Sequence, residues 1–205
     1  MHPDQFVLLN APDTGILQRS IADLVYQVQV LDLMGLDRSA KVQVHVGGVY
    51  GDKPAAIERF VKQYDLLDTA IRDRLVIEND ERLYTLIDCL AIHERTGIPV
   101  IADTFHYSLY NTGEQFTALL DTVRKTWKTH DGIPMIDYSS QEPGKRAGAH
   151  AMHIVAEDFR QFLKETLPAD FDLMLEIKDK EKSALAALGI ARNDPRLVSG
   201  VPGDA

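Results

Sequence analysis

Apolar runs that end in a histidine or a carboxylate recur along this chain, and this feature constrains the fold more than any other. The clearest example is Leu75-Val76-Ile77, which leads directly into Glu78. Short runs of Leu, Val and Ile are typical of strands buried on both faces of a parallel sheet. Similar runs end at His45, Asp103, Asp137 and Glu176. Because parallel strands end at the same edge, these side chains are predicted to converge on one site.

Helical segments separate the apolar runs. In these segments apolar positions recur at intervals of three and four residues. The predicted helices cover 18–33, 54–67, 81–96, 115–129, 150–167 and 180–188, and the predicted strands cover 41–46, 75–78, 98–102, 133–138 and 173–177. Polar loops are expected after 98–102 and over 139–148. The alternation predicts repeated βαβ units, and hence a parallel sheet covered by helices.

Two α/β architectures contain such units, a closed TIM (β/α)8 barrel and an open doubly wound sheet. The barrel is favoured because ligand-type residues end nearly every strand, and a ring brings them to one point. No G-x-G-x-x-G motif follows a first strand, so dinucleotide binding loses its best support. Five strands and the end of a sixth near the N-terminus are predicted, whereas a closed barrel needs eight. An incomplete barrel is therefore expected.

Composition favours one domain, because 205 residues with 45% hydrophobic residues can build one sizeable core. We assign 1–192 to this domain and 193–205 to a flexible C-terminal tail. The single cysteine, Cys89, excludes an internal disulfide and is expected in the core. The sequence shows neither a signal peptide nor an apolar run of bilayer length, so we expect a cytoplasmic protein with no membrane partner.

The formal net charge of −9 argues against simple electrostatic binding of nucleic acid, because phosphate contacts need Lys and Arg. This argument weakens if several of the acids hold divalent cations, since bound ions cancel much of the repulsion. Charge is therefore evidence against DNA binding without being decisive.

The side chains at and near the strand ends form a set of nitrogen and oxygen ligands without a thiolate: His45, Glu78, Asp103, His106, Asp137, His150 and Glu176. Such a set suits Mn²⁺ or Zn²⁺ and disfavours Fe–S clusters and Cu(I). Single members have simpler interpretations. Asp103 or Asp137 could cap the following helix, and His45 could be a hydrogen-bonded core histidine. Glu78 is harder to explain in this way, because burying a glutamate is costly unless it is paired or bound to metal.

Six motifs occur in order between His2 and about Leu188. They are His2-Pro3-Asp4-Gln5-Phe6, His45-Val46-Gly47-Gly48 followed by Gly51-Asp52-Lys53, Glu78-Asn79-Asp80, Asp103 with His106, Tyr138-Ser139, and Met174-Leu175-Glu176-Ile177-Lys178. Together they resemble the UV damage endonuclease family, over the part that follows its first two barrel strands. The resemblance implies a TIM barrel similar to that of endonuclease IV, here lacking its N-terminal strands.

The resemblance also implies a cluster of up to three divalent ions, commonly Mn²⁺, with Zn²⁺ or Mg²⁺ as alternatives. By position, one ion is held by His2, His45 and Glu78. The second is held by Glu78, Asp103 and Glu176, with Asp137 at the position of a family histidine. The third is held by His106 and His150. Of these residues, the implied catalytic ones are Glu78, Asp103 and Glu176.

The implied substrate is damaged double-stranded DNA, nicked on the 5′ side of UV photoproducts, with abasic sites as a further substrate. Gln5 and Phe6 match the Gln-Tyr pair with which the family probes the distorted duplex, and Phe6 keeps the stacking face. One motif departs from the family's Lys-x-His-Tyr-Ser, because Met135 replaces the lysine and Asp137 the histidine. An altered metal affinity or preference is expected, since Asp137 can still ligate through oxygen.

Two other functions agree with the residues. A divalent-metal sugar isomerase or epimerase on a related barrel also uses Glu, Asp and His at strand ends, and it fits an acidic chain better. Alternatively, the chain is a catalytically inactive fragment that binds metal. Such a chain would expose unpaired strand groups at the open barrel edge, and self-association through that edge is expected.

Overall fold

Five parallel strands form one sheet: Val42–His45 (β1), Leu75–Glu78 (β2), Val100–Asp103 (β3), Met135–Tyr138 (β4) and Asp172–Leu175 (β5). The structure is a computed structural model that describes residues 1–198. Within these residues the spatial order of the strands is their order in the chain. A doubly wound sheet reverses its order at a switch point, whereas a barrel does not, so the topology is that of a TIM-barrel sector. The five predicted strands are confirmed, with ends shifted by at most two residues.

Eight α-helices are present within residues 1–198: Thr14–Leu33 (α1), Lys53–Leu66 (α2), Thr69–Arg72 (α3), Leu86–Thr96 (α4), Thr104–Leu109 (α5), Phe116–Lys125 (α6), Ala156–Glu165 (α7) and Glu181–Ala191 (α8). Among them, none combines the length and apolar character needed to cross a bilayer. Residues 199–205 of the expected flexible tail lie outside the described part of the chain.

Several helices differ from the prediction: α1 begins at Thr14 rather than at residue 18, α3 was not predicted, and α4, α5 and α7 differ for local reasons. Helix α4 begins at Leu86 rather than near Glu81, because the Asp80 carboxylate accepts three backbone N–H bonds and holds the chain in a turn. Thr85 then caps the helix through a capping box, an arrangement typically worth about 1 kcal/mol. Helix α5 replaces an expected loop because Asp103 caps it.

Helix α7 begins at Ala156, so the expectation that His150 opens a helix is wrong. The backbone around His150 bonds to other parts of the chain instead. Ala151 donates to the Ser140 carbonyl at 2.8 Å and accepts from the Lys178 N–H at 3.1 Å. These long-range bonds hold His150 in an extended loop that faces the end of β5.

The sheet has two chemically different faces. One face packs against the helices and forms the main core, which includes Val44, Ile77 and Val100. Because side chains alternate along a strand, the intervening residues point to the opposite, inner face. There Val76 and Ile101 pack with Trp127 and the partly buried Met135. The next inward positions along the strands carry the polar residues: His45, Glu78, Asp103 and Asp137.

The edges of the sheet differ in burial. Strand β1 is buried, and its Gln43 N–H donates to the Met1 carbonyl at 2.8 Å. No strand is assigned before Val42 within the described residues, so only this contact corresponds to the expected end of a sixth strand. Strand β5 alternates between exposed and half-buried positions, and Met174 is 46% exposed.

Candidate metal centre

Glu78 lies at the centre of the polar inner face. Strand β2 places its side chain, which is fully buried, beside two imidazoles. His2 Nε2 lies 2.8 Å and His45 Nε2 lies 3.3 Å from Glu78 Oε1. Neither Glu78 oxygen has a donor in hydrogen-bonding geometry. Ligand atoms about 2.1 Å from a common ion lie roughly 3 Å apart, so the spacing fits a metal site.

A second group shares Glu78 and adds Asp103 and His106. Asp103 Oδ1 caps helix α5 by accepting the His106 N–H at 2.7 Å, whereas Oδ2 is buried without a hydrogen-bond partner. The cap interpretation and the ligand interpretation of Asp103 are therefore compatible, because they use different oxygens. His106 donates through Nδ1 to the Asn79 carbonyl at 3.0 Å in one tautomer, which leaves Nε2 available.

Asp137 lies on the same face, in register with Asp103 on the neighbouring strand. Its side chain projects from β4 and accepts a hydrogen bond from Gln43 Nε2 through Oδ2, while Oδ1 has no partner. The following helix is not the partner of this carboxylate, so the cap interpretation is wrong for Asp137. Thr104 Oγ1 instead donates to the Asp137 backbone carbonyl at 3.0 Å.

His150 and Glu176 lie on the far side of His106. The His150 ring packs edge-on against the His106 ring, with centroids 5.8 Å apart. His150 Nδ1 lies 3.0 Å from the Glu176 carbonyl oxygen and 3.7 Å from Glu176 Oε2. Neither residue belongs to the two compact ligand groups found among residues 1–198. The structure therefore places Glu176, predicted for the second ion, and His150, predicted for the third, beside the compact groups without drawing their ligand atoms into them.

The buried acids have strongly perturbed protonation equilibria. Burial raises the pKa of Glu78 well above its usual range, and the nearby Asp103 and Glu176 charges raise it further. The pKa of Asp103 rises to about 6, chiefly through burial, although the His106 charge opposes this. Burial also raises the pKa of Asp137, with repulsion from Glu78 and Asp103. Such a cluster favours neutral acids unless a cation compensates their charge.

The pKa of His45 shifts in the opposite direction from the pKa values of the buried acids. Burial lowers its pKa to about 4, and the His2 and His106 charges contribute. Its imidazole is therefore neutral at physiological pH and keeps a lone pair for a Lewis acid. A neutral histidine next to unpartnered carboxylate oxygens is the donor set that Mn²⁺ and Zn²⁺ accept, so the residues present fit a divalent ion.

The two residues predicted to contact DNA lie in a tight turn. Phe6 is 72% exposed, and its N–H donates to Asp4 Oδ1 at 3.1 Å. Gln5 is exposed beside it. The turn borders a surface cavity of about 400 Å³ that Arg19 also lines. A large aromatic ring in this position is available for stacking with a partner outside the chain.

Two polar residues at the centre were not predicted from the sequence. The Gln43 side chain donates to the Asp137 carboxylate, and the Asn79 side chain bonds to both the N–H and the carbonyl of Asp103. Gln43 had a usable signal, since it lies two residues before His45 and thus on the same strand face. Of the histidines outside the predicted site, His93 is structural, because its Nδ1 lies 2.8 Å from the Ile98 carbonyl oxygen.

Comparison with known proteins gives consistent matches. Residues 1–194 match the sequence model of the family described as UV-endonuclease UvdE. A UV DNA damage endonuclease from Clostridium perfringens is 38% identical over 190 residues, which are 92% of this chain and 46% of that protein. The crystal structure of SacUVDE is 45% identical and superimposes with a TM-score of 0.90 over 96% of this chain and 66% of that one.

A more distant structural match concerns the fold alone. D-psicose 3-epimerase from Clostridium cellulolyticum H10 is 14% identical, with a TM-score of 0.57 over 93% of this chain. The chain spans about half the length of the C. perfringens protein and about two thirds of SacUVDE. The activity of those whole proteins is therefore not transferred to this chain by similarity alone.

Proposed function

The chain belongs to the UV-endonuclease UvdE family, and we propose that it is a metal-dependent DNA repair endonuclease. It would cleave the phosphodiester backbone on the 5′ side of UV photoproducts, with abasic sites as a further substrate. The observation that carries this proposal is Glu78, a fully buried carboxylate with two unpartnered oxygens that belongs to both ligand groups. Burying a carboxylate without a donor in hydrogen-bonding geometry is costly, and binding cations is the clearest way to offset that cost.

Each ligand has a proposed role. His2, His45 and Glu78 would hold one ion, and Glu78, Asp103 and Glu176 a second, with Asp137 beside it. His106 and His150 would hold a third. Mn²⁺ is the proposed metal, with Zn²⁺ or Mg²⁺ as alternatives. When bound, the ions supply Lewis-acid stabilisation of charge on a phosphate. Glu78, Asp103 and Glu176 are the proposed catalytic residues, because they would fix the spacing of the ions around that phosphate.

Damaged duplex DNA is the proposed partner. Phe6 would stack beside the lesion, and Gln5 would accompany it, because both project from an exposed turn at the same end of the molecule as His2. The net charge of −9 disfavours DNA in the metal-free chain, and bound cations reduce this repulsion. Action on DNA also agrees with the expected cytoplasmic location.

The test is nicking of UV-irradiated supercoiled plasmid by the purified chain with Mn²⁺, followed by mapping of the cut on an end-labelled duplex with one photoproduct. We expect open-circle product from irradiated plasmid only, and a cut 5′ to the lesion. Glu78→Gln should abolish it. Asp121→Asn is the matched control, because it also neutralises one acid but its side chain is 72% exposed on α6. Normal Mn²⁺ binding without nicking would overturn the proposed activity.

The sugar isomerase or epimerase alternative rests on fold likeness alone, since the epimerase match is 14% identical. The inactive-fragment alternative makes a different prediction. It expects Mn²⁺ binding without cleavage of irradiated or unirradiated plasmid, so the same nicking assay separates it from the proposed function.

A further inference from the structure

The side chain of Asn79 continues the sheet where the backbone ladder between β2 and β3 stops. The ladder pairs Ile77 with Val100 and Glu78 with Ile101. Beyond it, Asn79 Nδ2 donates to the Asp103 carbonyl, and Asn79 Oδ1 accepts the Asp103 N–H, both at 3.0 Å. Asn79 is fully buried. The amide thus forms the donor and acceptor pair that a strand backbone would normally provide.

The backbone of Asn79 contacts the same ligand group a second time. Its carbonyl lies 3.0 Å from His106 Nδ1. An Nδ1–H bond to a carbonyl selects one tautomer and leaves the Nε2 lone pair free. Asn79 therefore contacts both Asp103 and His106 and directly follows Glu78, so it touches or adjoins every member of the second ligand group.

We propose that Asn79 is a positioning residue that fixes Asp103 beside Glu78 for the divalent ion that these two would share, and that orients His106 for the neighbouring ion. This inference rests on the proposed metal-binding function. Only an amide of this length fits, since the site needs one donor and one acceptor at once. Aspartate lacks the donor and would place a carboxylate oxygen against the Asp103 carbonyl. Alanine supplies neither partner and leaves the Asp103 N–H and carbonyl unsatisfied.

The test uses Co²⁺ as the probe, because its visible absorption bands report coordination geometry as well as occupancy. The full chain and the variants Asn79→Asp and Asn79→Ala are titrated with Co²⁺ in the absence of other metals. We expect 10- to 100-fold weaker binding of the Co²⁺ ions that Asp103 and His106 hold, the range typical for residues that orient metal ligands, together with altered bands.

The matched control is Asn10→Ala. Asn10 is also fully buried, and its Nδ2 donates to the Gly48 carbonyl at 2.8 Å, but it makes no contact with Asp103. Urea unfolding of the metal-free chains shows whether Asn10→Ala and Asn79→Ala lose comparable stability. Weaker Co²⁺ binding and changed bands in the Asn79 variants, with wild-type bands in Asn10→Ala, would support the inference.

Three results would overturn the inference. If the Asn79 variants bind Co²⁺ with wild-type affinity and bands, Asn79 does not position the ligands, and the metal function stands. If Asn10→Ala changes the bands as much as Asn79→Ala, the effect reflects general loss of stability. A wild-type chain that binds no Co²⁺ would instead refute the proposed metal function, and the inference would fail with it.

Discussion

Neutralising Asp103 should stabilise the metal-free protein in a pH-dependent way. The carboxyl has a pKa of about 6 in the folded chain, against an ordinary value of 3.8. Below pH 3.8 it is protonated in both the folded and unfolded states, so its charge has no effect on stability. As pH rises towards 6, the unfolded state ionises first, and stability is lost. Asp103→Asn removes this loss and keeps an oxygen that can cap α5.

The size of the effect follows from the two pKa values. Each pKa unit corresponds to about 1.4 kcal/mol, so the ionised Asp103 costs the folded state about 3 kcal/mol. Linkage places about 1 kcal/mol of that cost at pH 4.5 and nearly all of it at pH 7.5. The stability gained by Asp103→Asn should therefore grow by about 2 kcal/mol between these two pH values. Glu78 and Asp137 have raised pKa values too, so wild-type stability falls further over the same range.

The assay is urea unfolding followed by circular dichroism, with chelator, at pH 4.5 and 7.5. With saturating Mn²⁺ the sign of the stability difference should reverse, because an ion that binds the ionised Asp103 carboxylate stabilises the wild type more than Asp103→Asn. The reasoning would be refuted if Asp103→Asn changed the metal-free stability equally at both pH values. It would also be refuted if Mn²⁺ stabilised Asp103→Asn as much as the wild type.

Three further predictions concern other parts of the molecule. Asp131→Asn should lower the free energy of unfolding by about 3–5 kcal/mol with or without Mn²⁺, because it leaves the buried Lys41 without its carboxylate partner at 2.5 Å. A loss below about 1 kcal/mol in urea unfolding would refute this. Phe6→Ala should weaken binding to a photoproduct duplex by about 1–3 kcal/mol, measured by fluorescence anisotropy. The free energy of unfolding should not change, because the Phe6 side chain is 72% exposed. Unchanged affinity for the duplex would refute the stacking role. Gly47→Ala should destabilise the chain by more than about 2 kcal/mol, because φ of Gly47 is +112° and the added Cβ would overlap the Asn10 side chain. Gly35→Ala should cost less, because its Cβ would enter open space. Equal losses of stability in thermal unfolding would contradict this.

The sequence predicts those parts of the fold that depend on local pattern. Alternation and apolar composition locate the five described strands, because β1 to β4 are largely buried and β5, although half-exposed, carries apolar residues at three of its four positions. The misplaced start of α7 has a different cause. Residues 150–155 contain enough apolar side chains to suggest a helix, but their backbone groups bond to Ser140 and Lys178, which are distant in sequence. Local periodicity contains no information about such bonds.

The same distinction applies to the candidate site. The strand-end positions of Glu78 and Asp103 follow from strand direction, so their proximity was predictable. The dual role of Asp103 was not, because it depends on which oxygen faces the helix and which faces the inner side of the sheet. Asn79 was visible only as part of a motif. Its bonds to Asp103 exist because the backbone ladder between the neighbouring strands β2 and β3 ends at Glu78, a detail that becomes clear only in three dimensions.

The shared role of Glu78 is tested most directly by counting the tightly bound Mn²⁺ ions in the wild-type chain and in Glu78→Gln. Electron paramagnetic resonance measures the free Mn²⁺ during the titration. If one carboxylate serves two ions, the wild type should bind at least two ions tightly, and Glu78→Gln should lose both together. Retention of either ion by Glu78→Gln at wild-type affinity would show that Glu78 is not shared between two ions.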